Sequence, residues 1–283
     1  MWMAWDERPA MTREETKEYR MTQTDKMLAR KEAGVGIVTF NNPERHNAVS
    51  LEMWEGAKRI LDGFAEDDEV RVVVLTGAGG KAFVSGADIS KFGSERASLE
   101  AARAYDVVTA ATFNAVYEFP KPTIAMIRGY CIGGGAALAV CCDLRVCSDD
   151  SRFAVPAARL GLGYGPAGIK RLMDIVGPAY AKEIFFTARQ FDARETHAMG
   201  LVNRVVPAAE LESTVKGITD MICANAPLTI KAAKFAAGEL LKDESRRNMA
   251  RVNEMVEACF ASGDYTEGRT AFMEKRKPVF TGR

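Results

Sequence analysis

Residues 131–143 read CIGGGAALAVCCD: an apolar strand-like run, PTIAMIRG (122–129), leads into three glycines and then small apolar residues. A second glycine turn, VSGAD (84–88), follows the buried-strand pattern VRVVVLTG (70–77). Two such turns can bring unpaired N–H groups to one edge of a sheet. Glycine leaves the approach to an amide open, because it has no Cβ. At 133–135 the first amides of a helix would also lie at the positive end of its dipole. Two amides aimed at one point from separate segments can hold a developing oxyanion. Each turn also has a plain structural use, in letting a helix pack close to a strand.

The rhythm around these turns is strand, helix, strand. Residues 28–40 read as a hairpin around Ala33-Gly34, followed by the loop NNPERHNAVS. Ser50 is placed to cap a helix over 51–65, with Leu51, Trp54, Ile60, Leu61 and Phe64 as core candidates. AGGKAFVSGADIS is a loop with a short strand inside, then come a helix over 98–118, a helix over 134–142 and the strand DLRVCS. This predicts an α/β layer architecture with parallel pairing. Beyond Pro156 helices dominate, over 166–176, 178–187, 192–199, 208–225, 228–241, 244–260 and 264–275, with one strand at 201–206.

Composition removes several classes. Lys plus Arg and Asp plus Glu both number 38, which argues against a nucleic-acid partner held by a basic field. The six cysteines include no C-x-x-C pair and there are two histidines, so no metal site is expected. Cys131, Cys141, Cys142 and Cys147 read as buried small apolar residues in a reducing compartment. No apolar run reaches spanning length, and residues 1–27 lack the apolar core of a signal peptide. They read as a polar extension, and the location expected is cytoplasmic, with no membrane partner. VRVVVLTGAGGKA carries G-x-G-x-x-A after a strand, but the next residues, FVSGAD, read as strand and turn, not the helix that a dinucleotide site requires. GYGPAG (163–168) has no strand before it, and G-x-S-x-G is absent.

Six words in order resemble the enoyl-CoA hydratase/isomerase (crotonase) superfamily over about residues 28–283. They are NPERHNAVS, VVVLTGAGGKAFVSGADIS, PKPTIAMIRGYCIGGGAALAVCCDLRVCS, GIKRL, EIFFTARQFDARETHAMGLVNRVVP and EGRTAFMEKRKPVF. The resemblance implies a crotonase-like spiral of ββα units over 28–207. It also implies a C-terminal helical trimerisation region over 208–283, in a homotrimer or dimer of trimers. The implied ligand is an acyl-CoA thioester, with no cofactor beyond the coenzyme A that is part of the substrate, and the implied chemistry is stabilisation of a thioester enolate in fatty-acid metabolism.

Carried over by position, the N–H groups of Ser85 and Gly134 form the oxyanion hole. Ser85, Gly86, Ala87 and Asp88 line the pantetheine and nucleotide site, and Arg45 or His46 lies near the CoA phosphates. Asp88 reads equally as a turn-forming carboxylate and His46 as a solvated loop residue. Lys275, Arg276 and Lys277 reach a neighbouring subunit's nucleotide or simply end a helix.

The sequence departs from the family where hydratases place two glutamates. Ala137 stands in the word G-G-G-x-E-L-A, and Ala157 in P-E-x-x-x-G. Methyl groups cannot take a proton from water or give one to carbon. Three readings stay open: an enoyl-CoA hydratase-like lyase using other groups, a decarboxylase of malonyl-type CoA thioesters, and a non-catalytic acyl-CoA-binding relative. Asp106, Glu118, Asp143, Arg159 and Tyr164 are the polar candidates. Asp143 reads better as structural. Arg159 fits a substrate carboxylate or the surface. Tyr164 resembles a tyrosine of methylmalonyl-CoA decarboxylases, where it could orient a carboxylate or donate a proton, but reads better as an ordinary half-buried tyrosine bonded to backbone.

Overall fold

The computed structural model describes residues 17–18, 24–91 and 97–283. Most of the extension read at 1–27 lies outside them. Lys17–Glu18 (β1) pairs antiparallel with Met27–Glu32 (β2), which forms a hairpin with Val35–Phe40 (β3). The turn places Ala33 at φ 47° and Gly34 at φ 83°, the positive-φ pair that a two-residue hairpin needs. Leu51–Glu66 (α1) then leads to Val72–Gly77 (β4).

Three successive units repeat one plan. Each sends a strand into a large sheet, a second strand into a small sheet, and then a helix. The first is β4, Ala82–Val84 (β5) and Leu99–Tyr117 (α2). The second is Thr123–Ile127 (β6), Tyr130–Ile132 (β7) and Gly134–Cys141 (α3). The third is Leu144–Ser148 (β8), Arg152–Ala154 (β9) and Pro166–Thr187 (α4). Phe191–Asp192 (β10) and Arg204–Val206 (β11), with Ala193–Ala198 (α5) between them, complete the two sheets. The large sheet has the order β1-β2-β3-β4-β6-β8-β11 and the small one β10-β9-β7-β5. From β3 onward the large sheet is parallel, as the crossover helices require.

Alternation in β4 divides the core. Val73 and Leu75 face the main core with Trp54, Ile60, Leu61 and Phe64 of α1. Val72 and Val74 face the opposite side with Ile124, Val146 and the residues Leu211, Val215 and Ile218. Those last three belong to Leu211–Ala224 (α6), the first of the C-terminal helices. It is followed by Pro227–Leu240 (α7), Met249–Ala261 (α8) and Gly263–Glu274 (α9).

Most expected elements stand within a few residues. The segments 166–176 and 178–187 meet at Gly177 (φ 75°, ψ 168°), where helical geometry breaks. The helix expected over 244–260 starts at Met249 instead, because Asn248 accepts a hydrogen bond from the Arg251 amide and caps it there. After the G-x-G-x-x-A word the chain enters β5, not a helix.

Candidate active site

The two glycine turns leave β5 and β7, not the longer strands β4 and β6 that carry the apolar runs. In the small sheet β5, β7 and β9 are parallel neighbours, so their C-terminal ends share one edge. That edge delivers Ser85–Ala87, Gly133, Gly134, Ala137, Pro156 and Ala157 to one cavity of about 370 Å³, while Asp88, expected in the lining, lies outside it. Gly133 turns the chain at φ 55°, and α3 starts at Gly134. At Gly135 a Cβ would lie 2.0 Å from the Val84 carbonyl oxygen, so only glycine lets α3 pack against β5.

The turn after β5 is fixed from the other side by the loop 42–49. Val49 N–H donates to Gly86 O (2.8 Å), and Asp88 N–H donates to Val49 O (3.0 Å). Ser85 N–H donates to the His46 carbonyl (3.2 Å). The amide assigned from the motif, that of Ser85, is therefore engaged within the chain. The Ala87 N–H lies between the two bonds to Val49 and has no acceptor among the described residues, nor has Gly134 N–H. The two free amides are close: a Cβ on Gly134 would lie 3.9 Å from Ala87 N. They face an opening where the positive end of α3 also points.

The loop is held by buried asparagines that sequence reasoning missed. Asn47, at φ 55°, donates to the Ala78 and Ala82 carbonyls (2.9 and 2.7 Å) and accepts from Asn42 N–H (2.9 Å). The N-x-x-x-x-N spacing was the available signal. Asp88 accepts from Ser90 N–H (3.1 Å) and hydroxyl (2.6 Å) and pairs with Arg45 (3.2 Å). Burial pushes its carboxyl up, but the Ser90 hydrogen bonds and the Arg45 charge outweigh that and hold it below its usual range. Asp88 is thus the turn-forming carboxylate, and Arg45 is tied to it. His46 is exposed, its ring edge-on to Tyr130 at 5.8 Å.

One wall of the cavity is a face of α2 made by Tyr105, Asp106, Thr109, Ala110, Phe113 and Asn114, which share a side at helical spacing. Trp54 forms the floor beside them. Its Nε1 donates to the Tyr105 hydroxyl (3.0 Å), and its ring meets Phe113 edge-on at 5.2 Å. Ala137 and Ala157, the positions where glutamates were expected, both line this cavity and are 8% and 6% exposed. Among the described residues, Asp106 is the one carboxylate in the lining and Arg171 the one cation.

Tyr164 lines the cavity too, with its ring against Phe185 (4.9 Å) and no hydrogen-bond partner for its hydroxyl among the described residues, so the expected backbone bond is not made. Burial pushes it up to about 12, so the hydroxyl keeps its proton at neutral pH. A second, small and largely apolar chamber lies behind Tyr164 and Ala137, lined by Phe153, Leu172, Ile184 and Phe191 among others.

The remaining candidates lie elsewhere. Glu118 and Arg159 are exposed and outside the lining. Asp143 accepts from Thr123 N–H (2.7 Å) and pairs with Lys234 (2.7 Å), tying β6 to the C-terminal helices. Arg276 is bound to Glu267 and Glu274. Cys131, Cys141, Cys142 and Cys147 are buried free thiols, all raised by burial, Cys141 to about 11.

The sequence model of the enoyl-CoA hydratase/isomerase family matches residues 30–283. The chain belongs to this family. It is 36% identical over 255 residues to a short-chain-enoyl-CoA hydratase of Clostridium acetobutylicum, covering 90% of this chain and 97% of that one. It is 34% identical to a crotonyl-CoA hydratase of Syntrophomonas wolfei, covering 92% and 99%. The crystal structure of an enoyl-CoA hydratase/carnithine racemase from Magnetospirillum magneticum superimposes with a TM-score of 0.86 at 35% identity, covering 94% and 99%. The crotonase-like α/β fold expected from the six words is the fold found, with a helical C-terminal region. No helix among the described residues is long and apolar enough to cross a membrane.

Proposed function

We propose that this chain is an acyl-CoA-processing enzyme that holds the thioester oxygen between the N–H groups of Ala87 and Gly134. The observation that carries the reading is this pair of unpaired amides at the mouth of an apolar cavity. As an enolate forms, negative charge moves onto that oxygen, and fixed donors stabilise it without reorganising. One such donor is worth roughly a hundred- to a thousandfold in rate. The α2 face, Trp54 and Phe113 enclose the acyl chain.

Hydration, the reaction for which the relatives are named, also needs proton transfers. Ala137 and Ala157 supply none, so the work falls to Asp106 as the carboxylate that takes a proton and Tyr164 as the hydroxyl that gives one. The test is purified protein with crotonyl-CoA, following the enoyl-thioester absorbance. Loss that falls at least tenfold in Asp106→Asn supports hydration. Stable crotonyl-CoA removes hydration of this short substrate.

Decarboxylation of a malonyl-type CoA is the second reading, favoured by the two methyl groups, which place no negative charge beside a substrate carboxylate, and by the unpartnered Tyr164 hydroxyl. Binding of crotonyl-CoA with neither reaction would leave the non-catalytic relative. We also propose a cytoplasmic homotrimer or dimer of trimers. Exposed apolar side chains on the C-terminal helices, Phe260 and Phe272 among them, support burial between copies. Sedimentation should give three or six chain masses, and a monomer would remove the proposal.

A further inference from the structure

Arg171, in the first turns of α4, lines the cavity, yet among the described residues none of its partners carries a negative charge. Its Nη2 donates to the Asn114 amide oxygen (2.6 Å), Nη1 lies 3.4 Å from the Cys141 sulfur, and the guanidinium stacks on the Tyr117 ring at 4.3 Å. Burial keeps the Cys141 thiol protonated, pushing it up to about 11, so the sulfur is neutral. Nearby acids are taken: Asp174 by Lys170 (2.7 Å) and Asp143 by Lys234 (2.7 Å). A half-buried guanidinium held in place by an amide, a thiol and a ring is oriented but not neutralised. Such a group favours a carboxylate ligand, which arginine binds through paired N–H donors.

Its position sets the length of that ligand. Gly134, Ala137 and Cys141 follow one another along one face of α3, and from Gly134 to Cys141 the helix rises about 10 Å. Arg171 touches the far end of this line and the free Gly134 amide marks the near end. Asp106 stands two turns before Asn114 on α2, away from the guanidinium. A malonyl unit is too short to reach from one end to the other. A straight acyl chain of about adipyl length, ending in a carboxylate, spans it across the methyl group of Ala137.

We propose that Arg171 binds the distal carboxylate of an ω-carboxyacyl thioester whose carbonyl oxygen rests on the Ala87 and Gly134 amides. The proposal rests on the acyl-CoA reading above and adds the class of acyl group. It also gives a role to the acid-poor wall, since carboxylates at 137 and 157 would repel such a chain.

The experiment compares adipyl-CoA with hexanoyl-CoA, equal in carbon number and different in charge, by calorimetric titration of the purified protein. Adipyl-CoA is expected to bind at least tenfold more tightly. Asn114→Asp gives Arg171 a carboxylate of its own without changing side-chain size and should reduce the preference below threefold. Arg171→Gln should do the same, and where that variant fails to fold the Asn114→Asp result decides. Equal binding of the two thioesters by the parent protein, or a preference that survives Asn114→Asp undiminished, overturns the proposal and leaves the acyl-CoA reading standing. Failure of both thioesters to bind overturns both.

Discussion

Adjacent glycines at 134 and 135 separate two demands on one backbone. A methyl group at 135 would collide with the Val84 carbonyl at 2.0 Å, and β5 would have to move. A methyl group at 134 would meet the edge of Trp54 at 3.3 Å, which a few tenths of an ångström relieves, but it would project beside the Ala87 amide. Gly135→Ala should therefore lose about 3 kcal/mol or more of stability, the cost of forcing extra volume into a packed site. Gly134→Ala should fold, with a loss under about 2 kcal/mol, yet bind crotonyl-CoA at least tenfold more weakly. Denaturant midpoints and titration calorimetry on the two variants separate the demands. Equal stability losses, or unchanged thioester binding by Gly134→Ala, would contradict the assignment of the amide pair.

At the scale of elements, α1 begins at a residue whose side chain does not do what its type suggests. Ser50 sits at the N-cap with extended backbone, and its carbonyl accepts from Met53 and Trp54. Its hydroxyl makes no cap bond and is buried without a partner among the described residues. Replacing a working cap costs about 1 kcal/mol. Removing a buried, unpaired hydroxyl relieves a desolvation penalty instead. Ser50→Ala should be neutral or stabilising in urea denaturation, and a loss near 1 kcal/mol would show that the hydroxyl caps the helix after all.

The same contrast marks what the sequence made legible. Runs such as VRVVVLTG carry their own periodicity, so β4, β6 and the helices were readable. The strands β7, β9 and β10 have two or three residues each, too few for any pattern, and exist because neighbours pair with them. Yet it is β5, β7 and β9 that aim the site. The glycine turns were visible as a place where bare amides matter. Which amide stays free was not, because it depends on Val49 bridging Ala87 and on His46 accepting from Ser85, contacts between segments far apart in sequence.

Across the whole molecule, the chain end is tied back by carboxylates on α9. Asp264 accepts from the amides of Thr281 and Gly282 (2.7 and 2.9 Å), while Arg71, just before β4, donates to the Phe280 carbonyl (3.1 Å). Glu267 accepts from both Nη groups of Arg276 (2.6 and 2.8 Å) and from Val279 N–H (2.8 Å). The tail is thereby pinned to the last helix and to the sheet at once. Hydrogen bonds from Arg276, then that from Val279, hold the Glu267 carboxyl down at about 2, from an ordinary value of 4.5. The folded state therefore prefers the ionised form more than the unfolded chain does. The contribution is fully present above about pH 4.5 and fades as the pH falls towards 2. Glu267→Gln lacks the charge at every pH. The parent should be the more stable of the two at pH 7, and their urea midpoints should converge as the pH approaches 2.5. A gap that stays constant down to that pH would mean that side-chain shape, not the carboxylate charge, fastens the tail. A gap absent at pH 7 would mean that solvent screens the pair and that the Asp264 contacts alone hold the chain end.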